Sequence, residues 1–166
     1  MAELALPRVS TSAKVQSVIV HSLRTAIAVV ASVLVARLFT LPETYWAAIT
    51  TIVITQSSLG AALAVSRQRF FGTALGAALG AVAATYFGNS LFAFGVSVFI
   101  LGLLRAIARM DRSAYRFGGI GLTIVLLVSR TRPPWEVALH RFAEVSIGIA
   151  VALVLTWLWP ESEERV

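Results

Sequence analysis

Four arginines are the residues best placed to do chemistry, because Arg24, Arg69, Arg105 and Arg141 lie within or at the ends of long apolar runs. An unpaired charge there costs several kcal/mol, so it is kept for a partner or a task. Several cations with a single carboxylate inside the runs, Glu144, describe a path that attracts anions. Each arginine could equally snorkel toward the interface. Glu144 follows Arg141 by about one helical turn, a spacing that allows an ion pair on one face. It is also the best candidate for a proton-coupling group, with His140 and His21 behind it because imidazole titrates near neutrality. Gln56, Tyr45 and Trp46 complete the candidate binding set: Gln56 by its amide, the two rings by stacking. The plainer roles are interhelical hydrogen bonding for Gln56 and interfacial anchoring for Tyr45 and Trp46.

The chemistry that the chain lacks narrows the choice. There is no cysteine, so disulfides and thiolate catalysis are excluded, and two histidines are too few for a metal site of their own. No Gly-rich phosphate loop ends in Lys-Ser/Thr, no His-Glu-x-x-His occurs, and no serine sits in a nucleophile elbow. The expectation is a protein that is not an enzyme and carries no cofactor.

The elements that must position these residues belong to a membrane protein. Hydrophobic residues make up 58% of 166 and charged residues only 13%. Mean hydropathy is +0.84, and a soluble domain of this size needs more polar surface than that. Crossing ~30 Å of hydrocarbon takes about 20 helical residues. Six apolar runs come close, predicting transmembrane helices at roughly 19–39, 45–63, 70–87, 91–108, 115–129 and 137–159. The first run follows Arg8, Lys14 and Arg24 and resumes after Arg37, which reads as an uncleaved span rather than a signal peptide. The fold class is therefore all-α, a six-span domain over 19–160, with a cytoplasmic segment at 1–18 and a cytoplasmic tail at 161–166. This orientation places ten of the fourteen basic residues inside and leaves Arg37, Arg130, Arg132 and Arg141 outside. The net charge of +6 is then a matter of topology, and basic residues divided among loops do not suggest nucleic acid.

The second half of the sequence also matches the first, without a gap, at one constant offset. Ala36-Arg37 falls on Ala108-Arg109, Thr51-Ile52-Val53 on Thr123-Ile124-Val125, Arg69-Phe70 on Arg141-Phe142, and Gly76 on Gly148. Three spans per copy would make the repeat inverted, an arrangement of secondary transporters that sets a substrate between the halves. In both copies the second span is interrupted, by Gln56-Ser57-Ser58-Leu59-Gly60 and by Gly118, Gly119 and Gly121 with Ser129-Arg130 beyond. In the third span Gly72, Gly76 and Gly80 recur every four residues and predict a face for close helix packing between halves or subunits.

The run Tyr45-Trp46-Ala47-Ala48-Ile49-Thr50, followed by Gln56 and by Arg69-Phe70-Phe71-Gly72-Thr73-Ala74-Leu75-Gly76, resembles the fusaric acid resistance and aromatic acid exporter family. The segment Arg141 to Gly148 and the closing Trp159-Pro160 are similar to that family's last span. The six-span unit also resembles that of plant aluminium-activated malate channels, which implies a dimeric, anion-conducting assembly. The resemblance implies export of aromatic carboxylates or other organic anions across a bacterial inner membrane. Longer members carry more than one such unit's worth of chain, and a homodimer would restore their twelve spans. The competing reading is a small membrane scaffold or accessory subunit whose arginines bind lipid headgroups or a partner protein.

Overall fold

A computed structural model describes residues 11–55, 58–128 and 132–159. All regular structure among them is helical: α1 (Thr11–Leu38), α2 (Tyr45–Ile54), α3 (Leu59–Phe87), α4 (Leu91–Ile107), α5 (Arg112–Leu127) and α6 (Pro134–Leu158). Three segments are long and apolar enough to cross a membrane: Val15–Leu38, Leu59–Phe87 and Pro134–Leu158. The other three fall short of ~20 residues. At ten residues, α2 is only about 15 Å long, half of the hydrocarbon thickness.

The predicted second and third spans need correction. Sequence reading sets a boundary between 63 and 70, where Arg67, Gln68 and Arg69 interrupt the apolar run. The helix instead runs through these residues, and the break lies earlier, between Ile54 and Leu59. All three polar side chains are accommodated without unwinding. Arg67 is exposed, Gln68 donates to Asp111 Oδ2 at 2.9 Å, and Arg69 donates to Thr50 Oγ1 at 3.1 Å. Ser58 caps the true start by accepting from the Ala61 amide at 3.3 Å. In the second half Ser90 starts α4 in the same manner.

α1 and α4 end alike. Thr40 and Arg109 adopt the left-handed conformation, at φ 54° and 50°. In each case the following amide, Leu41 or Met110, donates back to Ala36 or Arg105, completing a Schellman turn without glycine. These two caps stand slightly closer in sequence than the repeat offset, so the ungapped match of Ala36-Arg37 to Ala108-Arg109 does not hold in space; Ala36 corresponds to Arg105.

Packing follows a regular pattern. α1 touches α2 and α6; α4 touches α5 and α3; α3 touches α5, α6 and, lightly, α2; α6 touches α2 and, lightly, α5. Exchanging α1 with α4, α2 with α5 and α3 with α6 converts every touching pair into another touching pair. α3 runs parallel to α5, since Gly72 meets Ala114, Gly76 meets Gly118 and Gly80 meets Leu122. α2 runs parallel to α6, where Thr51 Oγ1 donates to the Gly148 carbonyl at 3.2 Å and Glu43 meets Glu144. The glycines are what permit this. A Cβ at Gly72 or Gly76 would land inside the carbonyl of Ala114 or Gly118, and one at Gly148 would come within 2.6 Å of the Ala47 carbonyl. The glycine face therefore joins helices of one chain.

Polarity is distributed as lipid demands. Val18, Ile27, Val30, Leu34, Phe92, Phe99 and Leu103 point outward, whereas Arg24, Ser32, Thr50, Thr51, Arg69, Thr73, Arg141, Glu144 and Thr156 are buried. A water-soluble bundle would reverse this arrangement.

Candidate functional site

α3 and α6 meet face to face at Phe70 and Phe142, whose ring centres are 4.9 Å apart. Each ring is preceded by a buried arginine, Arg69 at 4% exposure and Arg141 at 3%. The two guanidiniums are near enough to repel each other. Their surroundings differ.

Arg141 sits in a closed circuit with the start of α2. Its guanidinium carbon lies 3.1 Å from the centre of the Trp46 ring, a cation–π contact. The Trp46 indole N–H donates to Glu43 Oε2 at 3.1 Å, and the Glu43 amide donates to Glu144 Oε1 at 2.8 Å. Glu144, one turn along α6 and 1% exposed, provides the strongest compensating charge for Arg141, with Glu43 adding to it. A carboxylate at that amide also meets the positive end of the α2 dipole. Even so, Arg141 Nε and Nη1 have no hydrogen-bond partner among the described residues. This leaves two charge-bearing donors buried and open, a configuration that stabilises an added anion.

Arg69 rests between α2 and α5. Its Nε donates to Thr50 Oγ1, and its guanidinium carbon lies 4.8 Å from the centre of the Phe117 ring. Among the described residues Arg69 makes no ion pair. The structure thus joins Arg69, Arg141, Trp46 and Glu144 of the sequence candidates.

The remaining candidates lie elsewhere. Arg24 is buried and donates to the Trp159 carbonyl at 2.8 Å, tying α1 to the end of α6. Arg105 donates through Nε to the Met110 carbonyl at 3.0 Å and closes the turn after α4. Tyr45 packs beside Trp46 with ring centres 5.3 Å apart but is 53% exposed. His140 belongs to a partly exposed group with Arg132 at 3.5 Å and Glu136 at 4.0 Å. His21 is half-buried on α1, and Gln56 lies outside the described residues. Among the described residues no three His, Asp or Glu side chains converge as metal ligands.

Sequence reasoning missed Thr50, Phe117 and Glu43. Thr50 was within reach, standing four residues after Trp46 on one helix face. Phe117 occupies the position that the repeat offset sets against Tyr45, and so was indicated by the internal match. Glu43 carried no signal, since a carboxylate in a short connection reads as solvated.

A family model described as fusaric acid resistance protein-like matches residues 26–155. The inner membrane protein YeeA of Escherichia coli (strain K12) is 32% identical over 149 residues, covering 86% of this chain. The chain spans 41% of that relative's length. No solved structure matches.

Proposed function

The chain belongs to the fusaric acid resistance protein-like family, and on that premise we propose that it moves organic anions, with aromatic carboxylates as the substrate class, out across a bacterial inner membrane. The coarser statement, a membrane protein of transporter type, follows from the family and from the inner-membrane relative. One observation carries the finer one: two buried guanidiniums stand next to the Phe70–Phe142 contact of α3 with α6, and Arg141 retains two open donors. The substrate carboxylate binds between Arg69 and Arg141, within an inverted 3+3 repeat. Support for the repeat comes from the invariance of the helix contacts under exchange of the halves. The six-helix unit works as a homodimer with both termini cytoplasmic.

Glu144 couples transport to protons. When ionised it opposes the charge of Arg141; when protonated it releases that charge to the substrate, so a proton and a monoanion are bound together and leave as a pair, driven by the substrate's own outward gradient. Anion binding should accordingly tighten as pH falls. His140 stands in the exposed group with Arg132 and Glu136, outside the coupling step in this scheme.

The test is flux of a labelled aromatic carboxylate in proteoliposomes, with and without an imposed pH gradient. Accumulation in wild type that follows the proton gradient and vanishes in Glu144→Gln supports proton–anion cotransport, and flux indifferent to both indicates a channel. Arg69→Ala and Arg141→Ala should abolish flux with assembly intact. The scaffold reading draws on the exposed Arg109, Arg112 and Arg116 around the α4–α5 connection. It predicts instead that no organic anion moves and that the Arg69 and Arg141 variants disturb assembly.

A further inference from the structure

Alongside α3, with Phe70 of the α3–α6 crossing in its wall, lies an open groove of about 540 Å³. Leu63, Phe70, Phe71 and Ile149 form its apolar walls, and Gly60 and Ala64 keep its floor low. Two polar groups interrupt this lining. Ser66 is 4% exposed, and its Oγ has no hydrogen-bond partner among the described residues. A buried hydroxyl left unpaired is unfavourable, and a ligand acceptor satisfies it. Arg67 is exposed at the groove's edge and makes no ion pair among the described residues. The aromatic walls are set at right angles, Phe70 against Phe71 with ring centres 5.6 Å apart and an interplanar angle of 88°. Phe70 in turn touches Phe142 beside Arg141.

A cation, a free hydroxyl and an edge-to-face aromatic corner in one concavity match a molecule with an oxyanion head and a flat apolar body. The volume lies within the range of small-molecule sites, roughly 300–1,000 Å³. Arg67 and Arg69 stand two residues apart on α3, Arg67 facing out and Arg69 facing in, and Ser66 lies one turn before Arg69 on the buried side.

We propose that the groove formed by Ser66, Arg67, Phe70 and Phe71 is a lateral binding site for an aromatic carboxylate, a waiting position on the outer face of α3 from which the ligand passes to the buried arginines. The inference rests on the anion-export reading, and it adds a site that the Arg69–Arg141 pair does not include. The carboxylate pairs with Arg67 and accepts from the Ser66 hydroxyl. The ring packs against Phe71 and the edge of Phe70.

The test is equilibrium binding of salicylate, followed by its own fluorescence, to the full chain in nanodiscs of phosphatidylcholine. Arg67→Gln should weaken binding about tenfold, the usual worth of one charge-assisted contact. Ala64→Phe, which fills the groove from an exposed position, should remove binding altogether, while Arg112→Gln, outside the groove, should leave it unchanged. Equal affinity in wild type, Arg67→Gln and Ala64→Phe would overturn the site even if flux persists. Loss of salicylate binding when phosphatidylglycerol replaces part of the phosphatidylcholine would also overturn it, by assigning the groove to lipid. Absence of salicylate flux in a wild-type protein whose binding still follows Arg67 and Ala64 would sink the export reading and leave the site standing.

Discussion

The Arg141 side of the molecule carries its own counter-charge and the Arg69 side does not. Around Arg141, α2 and α6 bring together Trp46, Glu43 and Glu144. Around Arg69, α3 and α5 offer a neutral hydroxyl and a phenyl ring. The repeat offset sets Glu144 against Gly72, which a close approach to Ala114 obliges to be glycine. No carboxylate can occupy that place while α3 and α5 pack as they do. Two halves of similar helix plan thus differ in charge because glycine holds, on one side, the place that a carboxylate holds on the other. In the proposed function that difference assigns proton coupling to one half and leaves the other cation to the substrate.

The largest effect should come from breaking the proximity that sets the halves apart. Gly76→Leu forces a side chain into the Gly118 carbonyl and should cost about 4 kcal/mol or more, seen as loss of folded protein in detergent unfolding. Gly95→Ala, with nothing within 4 Å, should unfold like wild type. If Gly76→Leu is tolerated, the α3–α5 face is not the rigid one.

Next comes removal of the counter-charge. Glu144→Ala leaves Arg141 buried without its main compensation and should destabilise by about 3–5 kcal/mol, whereas Arg141→Met with Glu144→Leu should recover most of it. Additive losses in the double variant would show that the two residues do not act as a pair. A smaller loss, about 1.5–3 kcal/mol, is expected for Thr50→Val, which takes the one hydroxyl acceptor from Arg69 Nε. Smallest should be Phe117→Leu, which removes a cation–π contact worth about 0.5–2 kcal/mol. Trp46→Leu should exceed it, because the indole also donates to Glu43. Equal losses at Phe117 and Trp46 would erase the contrast between the two sides.

Part of this site is legible in the chain. The internal match pairs Arg69-Phe70 with Arg141-Phe142, and the two phenyl rings touch in space. Glu144 is marked by its one-turn spacing from Arg141. The four arginines look alike in sequence, yet Arg24 and Arg105 hold carbonyls at helix ends while Arg69 and Arg141 meet at a crossing. Nothing local separates these cases, since each depends on which distant backbone or ring lies opposite. The polar triplet Arg67-Gln68-Arg69 reads as a boundary for the same reason: its cost is relieved by Asp111 and Thr50, both remote in sequence.

The sequence by itself determined that lipid is the solvent, because hydropathy adds residue by residue and needs no partner. It also determined where glycine would allow helices to approach, since that freedom belongs to the residue type. Tertiary structure alone decided that α2 is a ten-residue helix, that Arg69 and Arg141 share one crossing, and that only one of them is matched by a carboxylate. Charge, unlike hydropathy, acquires its meaning from what stands within a few ångströms, and packing sets those distances.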